Sequence, residues 1–402
     1  MHTLPLLGAA PPSSARVPFP LAAKGFRPFF LAAGLFAVAI LPLWLCTLAG
    51  VLHPGASLDA TSWHAHEMVF GFATAVIAGF LLTAVGNWTQ RETVVGVPLL
   101  ALAGLWVLGR VVMTAGGALP PWVRAAVDLA FFPALLVALA RPLIAAKNRR
   151  NLVMLAVVSA LFAANAAMHL DALGILPGAR RRGYLAGVDI VLLVTLIIAG
   201  RVFPMFTRNA TRVESVRSSP RLDVVAIASM VLLTLLDAFA PESRAVPVVS
   251  AIAGIFAAAR TVHWGARHSF RIPLLWILHV GYAWIPLGLL LRAAAPLGLF
   301  APGAAALHAL TAGAIGSLTL GMMSRVSLGH TGRSLVAPRL AAISFEVITL
   351  AAAVRVFVPL VYPAWYGPSL YVSGIAWALA FLLFVIGYAP MLVAPRVDGK
   401  AG

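Results

Sequence analysis

Apolar residues along this chain gather into long runs, separated by short segments rich in Pro, Gly and Arg. A hydrocarbon core of about 30 Å takes roughly 20 apolar residues as helix. Runs of that kind lie at 29–49, 65–86, 97–115, 122–142, 152–170 and 184–206. Six more lie at 222–240, 245–262, 272–292, 301–323, 338–360 and 369–392. Turn signals between them include Pro120 with Pro121, Gly174 to Pro177, Pro241, and Pro302 with Gly303. The pattern predicts an all-α polytopic membrane bundle of about 12 transmembrane helices. A segment 1–28 precedes a single transmembrane domain, 29–393, and a tail 394–402 completes the chain.

Composition strengthens this reading. Hydrophobic residues make up 61% of the 402 positions and charged ones 10%, against about 45–50% and about 25% in soluble domains. The 29 Lys and Arg outnumber the 12 Asp and Glu. They fall mostly between apolar runs, so they read as topology signals and lipid-headgroup contacts, with no nucleic-acid partner expected. A cytoplasmic N-terminus puts 20 of the 29 basic residues on the cytoplasmic side, with Arg180, Arg181 and Arg182 as the main exception. That bias predicts that both termini are cytoplasmic. Residues 1–20 are Pro- and Ser-rich, so no cleavable leader is expected, and the first run is long enough to act as a signal anchor. The single cysteine, Cys46, excludes an intrachain disulfide and Cys-based iron–sulfur or zinc sites.

The second and tenth runs share a spaced pattern. His66, Gly71, Gly79, Thr89 and Arg91 match His308, Gly313, Gly321, Thr331 and Arg333 at an offset of 242 residues. Half of that offset lands on Gly200 and Arg212 in the sixth run, with Gly187 in place of histidine. Units 29–142, 152–262 and 272–392 each open near a basic cluster, which suggests three four-helix repeats.

Candidate chemistry lies in the histidines. His64 and His66 begin the second run, His169 ends the fifth and His308 begins the tenth. With the orientation above, all four sit near the outer membrane face. An ionisable residue within a membrane is costly and marks a candidate site. Neutral imidazole is a good ligand for iron and copper because it binds without adding charge. Residues two apart do not share a helix face, so His64 and His66 cannot both point inward from regular helix. Glu67 is placed to orient an imidazole through its free N–H. A lone buried histidine more often satisfies a neighbouring carbonyl than a metal. His279 is inside a run and open to either reading. His2 and His53 read as surface or interface residues, His263 and His268 as headgroup contacts, and His330 as part of a polar hairpin.

Other signals are weaker. GFRPFF before the first run reads as an aromatic belt with a basic anchor. Pro204 in GRVFPMFTR is expected to end or kink the sixth helix. Asp128, Asp189 and Asp237 look isolated, and no carboxylate relay, Walker loop, Rossmann glycine pattern or serine triad order is present.

The segments GFRPFF, WHAHEMVFGF, GFLLTAVGNWT, GRVFPMFTR, PLLWILHVGYAW and SLTLGMMSRVSLGHTGR, spread over residues 25–333, together resemble the NnrS family. Thr89, Gln90 and Arg91 depart from that family's usual WTG. The resemblance implies a polytopic protein of the bacterial inner membrane that contains heme and copper. It also implies a link to nitric oxide, nitrosative stress and denitrification. His66 and His308 further resemble the two axial heme ligands on the second and tenth helices of the heme–copper oxidase large subunit. Gly187, Ala306 and a seventh run without histidine depart from that pattern, so no oxygen-reducing or NO-reducing centre of the oxidase kind is expected.

These residues and the resemblance support three function classes. The first is a heme- and copper-binding protein that binds, senses or detoxifies nitric oxide. His66 and His308 would be its axial ligands, with His64, His169 and His279 as further metal ligands. The second is a transporter of a small solute or metal, and the third an assembly factor for a denitrification enzyme.

Overall fold

A computed structural model describes residues 19–54, 58–298 and 303–400. His2, Arg16 and most of the expected 1–28 segment lie outside the described residues, as does the turn residue Pro302. Among the described residues there is no strand.

Among the described residues, eleven helices are long and apolar enough to cross a membrane. In chain order with one shorter helix, they are α1 (Phe26–Leu48), α2 (Ala60–Thr89), α3 (Val97–Ala115), α4 (Pro121–Ala145), α5 (Arg149–Ala172) and α6 (Ala179–Thr211). Next come α7 (Pro220–Phe239), α8 (Ala245–Ala259), α9 (Pro273–Leu297), α10 (Ala304–His330), α11 (Arg339–Val361) and α12 (Pro363–Val393). Each expected run coincides with a helix over its described residues. The eighth, α8, has 15 residues and is about 22 Å long at 1.5 Å per residue, short of the hydrocarbon thickness. It stops at Arg260, which is buried, pairs with Asp223 at 2.7 Å and donates to the Leu196 carbonyl at 3.0 Å.

Proline starts several helices, at Pro121, Pro220 and Pro273, where its missing N–H costs nothing. Pro204 behaves otherwise: α6 runs through it to Thr211 and does not end there. Neighbouring helices and local adjustment tolerate the lost hydrogen bond inside a membrane bundle.

The long helices α2, α6 and α10 are the most buried, and α7 is the most exposed. GFRPFF, expected as an interfacial belt, belongs to this interior. Phe26, Phe29, Phe30 and Arg27 are at most 1% exposed. The Arg27 guanidinium donates to the carbonyls of Leu392 at 2.8 Å and Ala394 at 2.7 Å, at the C-terminal end of α12. A helix C-terminus has unpaired carbonyls and partial negative charge, so burial of this cation is compensated.

The basic exception to the charge bias also has a structural account. Arg180 pairs with Asp59 and Asp171, each at 2.8 Å, and Arg181 with Glu242 at 2.8 Å. Acidic partners offset the positive charge at that end of the bundle.

Candidate metal centre

Helices α2 and α10 each contain a turn of π-helix, at Glu67–Ala73 and Ala309–Gly316. Each begins one residue after a histidine of the repeat, so the 242-residue offset holds for backbone as well as sequence. A π turn inserts one residue, rotates the helix on one side of it by roughly 100° against the helix on the other, and is frequent at functional sites. In α2 the disturbed ladder finds partners. The Gly71 carbonyl accepts from the Trp106 indole at 3.1 Å, and the Thr74 hydroxyl donates to the Val69 carbonyl at 3.0 Å. Gly187 of α6 packs against this turn. A Cβ there would lie 2.8 Å from Phe70 and 2.9 Å from Val69, which leaves no room for a histidine at this position.

Around the π turn of α2 lies a buried polar cluster: His66, Glu67, Arg110, Asp128, Asn165 and His169, from α2, α3, α4 and α5. His66 Nδ1 donates to Glu67 Oε1 at 2.9 Å. The same oxygen accepts from Arg110 at 2.6 Å, and the guanidinium also bonds Asp128. His66 Nε2 then faces two oxygens, Asp128 Oδ2 at 3.1 Å and Asn165 Oδ1 at 2.8 Å. The Asn165 amide nitrogen donates to Asp128 Oδ2 at 2.7 Å, which fixes Oδ1 toward the imidazole. His169 Nε2 approaches the same Asp128 oxygen at 2.9 Å. The ligand atoms of His66, Asp128 and His169 all lie within 4.8 Å of one another.

This arrangement demands a cation. With Nδ1 holding its proton for Glu67, a neutral His66 would point a lone pair at two acceptor oxygens. Either a second proton or a metal ion must lie between them. Charge bookkeeping agrees: Glu67 and Asp128 are two buried carboxylates against one guanidinium, and Glu67 Oε2 has no hydrogen-bond partner. Two imidazole nitrogens and a carboxylate, with one imidazole oriented by a further carboxylate, form a donor set that suits copper, iron or zinc.

His64 and His308 stand apart from this cluster. His64 stacks on Trp44, with centroids 4.6 Å apart and planes 12° from parallel. Its electrostatic neighbours are His308 and Arg355. Its Nδ1 is buried and makes no hydrogen bond. His308 Nδ1 donates to the Ala304 carbonyl at 2.7 Å, one turn back, which leaves Nε2 as a lone pair. Each ring keeps a nitrogen available to a metal. His66 and His308, matched by the repeat, therefore keep separate sets of neighbours. His279 lies away from both groups and bonds the Thr207 hydroxyl at 2.9 Å.

Sequence reasoning missed Asp128, Asn165 and Arg110, and Asp128 is not isolated as expected. A signal existed: α3 and α4 are joined by a short loop, so residues at similar distances from it, such as Arg110 and Asp128, face each other. Asp189 and Asp237 are likewise not isolated. Both are buried, and both pair with Arg292, at 3.8 Å from Asp189 and more closely from Asp237.

Asp59, outside the spans, caps the first turn of α2. It accepts from the Ser62 amide at 2.9 Å and from the Ser62 hydroxyl at 2.7 Å. Partial burial alone would raise its carboxyl, but the Ser62 bonds and the Arg180 guanidinium outweigh this and hold it at about 2.

A helical bundle that crosses a membrane many times, with a buried histidine–carboxylate cluster toward one end, defines the class. Comparison with known families matches residues 20–396 to the family described as NnrS protein. The chain belongs to the NnrS family. No curated protein matches it.

Proposed function

We propose that this is a heme- and copper-binding protein of the bacterial inner membrane, with both termini cytoplasmic, that acts in the response to nitric oxide or nitrosative stress. One observation carries the metal assignment: His66 Nε2 faces two acceptor oxygens, Asp128 Oδ2 and Asn165 Oδ1, in a fully buried setting. A metal ion or a second proton on His66 makes that arrangement favourable, since buried acceptors without a donor cost free energy, and the set of two imidazoles and a carboxylate favours the metal. His66, His169 and Asp128 would hold copper, with Glu67 and Arg110 orienting them. His64 and His308 supply the nitrogens for heme. The bound metals would supply redox chemistry and affinity for a small neutral ligand such as nitric oxide. The role in nitrosative stress rests on the family resemblance.

The test is metal and heme analysis of purified protein beside four alanine variants. His66→Ala and His169→Ala are expected to lose copper and keep the Soret band. His64→Ala and His308→Ala are expected to lose heme and keep copper. A preparation fully loaded with metal but without a Soret band overturns the heme assignment, and full copper in both His66→Ala and His169→Ala overturns the copper site.

A further inference from the structure

Away from the His66–Asp128–His169 cluster lies a cavity of about 370 Å³, with His330 in its lining. Among its lining residues are Arg150 from α5, Arg201 from α6, and Asn87 and Trp88 from α2. Arg201 lies well inside α6, ten residues before its end, or about 15 Å along the axis. Arg201 and Arg150 are both exposed at the mouth of this cavity. Among the described residues, neither Arg201 nor Arg150 has a carboxylate partner, and both line the same cavity. A third cation, Arg325, sits 3.9 Å from the centroid of Phe206, which also lines the cavity. Nothing acidic lines it.

The cavity continues inward. Phe80, Ile198 and Met322 line both it and a second, apolar space of about 90 Å³ between α1, α2, α6 and α10. The hydroxyls in that second space, Thr195 and Thr319, both donate to carbonyls of their own helices, at 2.8 Å and 2.7 Å. The inner space thus offers a ligand no hydrogen-bond donor, and the outer one offers two guanidiniums without a carboxylate partner.

From this juxtaposition we infer a binding site for an anionic amphiphile, with its charged head on Arg150 and Arg201 and its apolar chain past Phe80 and Met322. Guanidinium groups match carboxylate and phosphate geometry, and an anion between two of them is attracted by both. The head comes from a bilayer phospholipid or from a free long-chain carboxylate. The site is independent of the metal centre.

Native mass spectrometry of the detergent-purified full chain tests this, with phosphatidic acid and phosphatidylcholine of equal chain length as probes. One phosphatidic acid is expected to be retained with at least tenfold preference. Dodecanoate is expected to displace it, while inorganic phosphate at the same concentration does not. Retention of dodecanoate alone would assign the site to a free carboxylate, and retention of phosphatidic acid against dodecanoate would assign it to a lipid. The double variant Arg150→Gln, Arg201→Gln loses the preference, whereas Arg149→Gln, outside the lining, keeps it. Phe80→Trp, which narrows the throat, weakens a long-chain probe more than a six-carbon one. Equal retention of the two lipids, an unchanged preference in the double variant, or displacement by inorganic phosphate overturns the proposal. So does loss of heme from the double variant, which would assign the arginines to porphyrin carboxylates.

Discussion

Helices α2 and α10 carry the same local device in two surroundings. Each places a histidine one residue before a π turn, at His66 and at His308. In α2 the next residue is Glu67, and α3, α4 and α5 close over it with Arg110, Asp128, Asn165 and His169. In α10 the next residue is Ala309, and the imidazole bonds only a carbonyl of its own helix. One ring has both nitrogens engaged by oxygens, while the other keeps a lone pair. The backbone sets the position of a histidine, and the neighbouring helices set its chemistry.

The sharpest way to break this contrast is to remove the cation beneath the α2 turn. Arg110→Met leaves Glu67 and Asp128 buried without their guanidinium. Loss of one partner from a buried ion pair costs about 3–5 kcal/mol. The expected result is a large fall in the thermal midpoint of the detergent-solubilised protein, with none for Arg149→Met at the surface.

A smaller effect separates the two histidines by their supports. Glu67→Gln weakens the orientation of His66 without touching His308. Loss of such a supporting bond lowers metal affinity about 10–100-fold. A chelator titration is expected to strip copper from this variant at correspondingly lower concentration while the Soret band persists.

The contact between α6 and the α2 turn gives a third test. Gly187→Ala puts a methyl group against Phe70 and Val69, and overpacking of this kind costs about 1–3 kcal/mol. Reduced stability in denaturant is expected, together with a weaker copper site. The smallest effect belongs to the cap of α2. Asp59→Ala is expected to cost about 1 kcal/mol. The Asp59 carboxyl is held at about 2 in the folded protein, below its unfolded value near 3.9. Its contribution is therefore present above pH about 4 and is lost as pH falls toward 2. The wild type and Asp59→Ala stability curves are expected to converge there.

Much of this architecture was legible in the chain. Each apolar run became a helix, because lipid-crossing backbone must satisfy its hydrogen bonds within the segment. The matched positions of His66 and His308 were visible in the sequence, and each precedes a π turn. The clusters were less legible. Asp128, Asp189 and Asp237 looked isolated because their partners lie on other helices. GFRPFF looked interfacial because an Arg among phenylalanines fits an interface as well as an interior whose cation caps a helix end. Pro204 carries a strong local signal to stop a helix, which the surrounding bundle overrode.

Hydropathy and length alone determined that the chain is a helical bundle in a membrane, since the cost of unpaired backbone in lipid leaves little choice. Which imidazole faces oxygen and which keeps a free nitrogen was decided by tertiary packing. That choice depends on side chains brought within about 3 Å across helices, and no periodicity along a single helix encodes the partner on its neighbour.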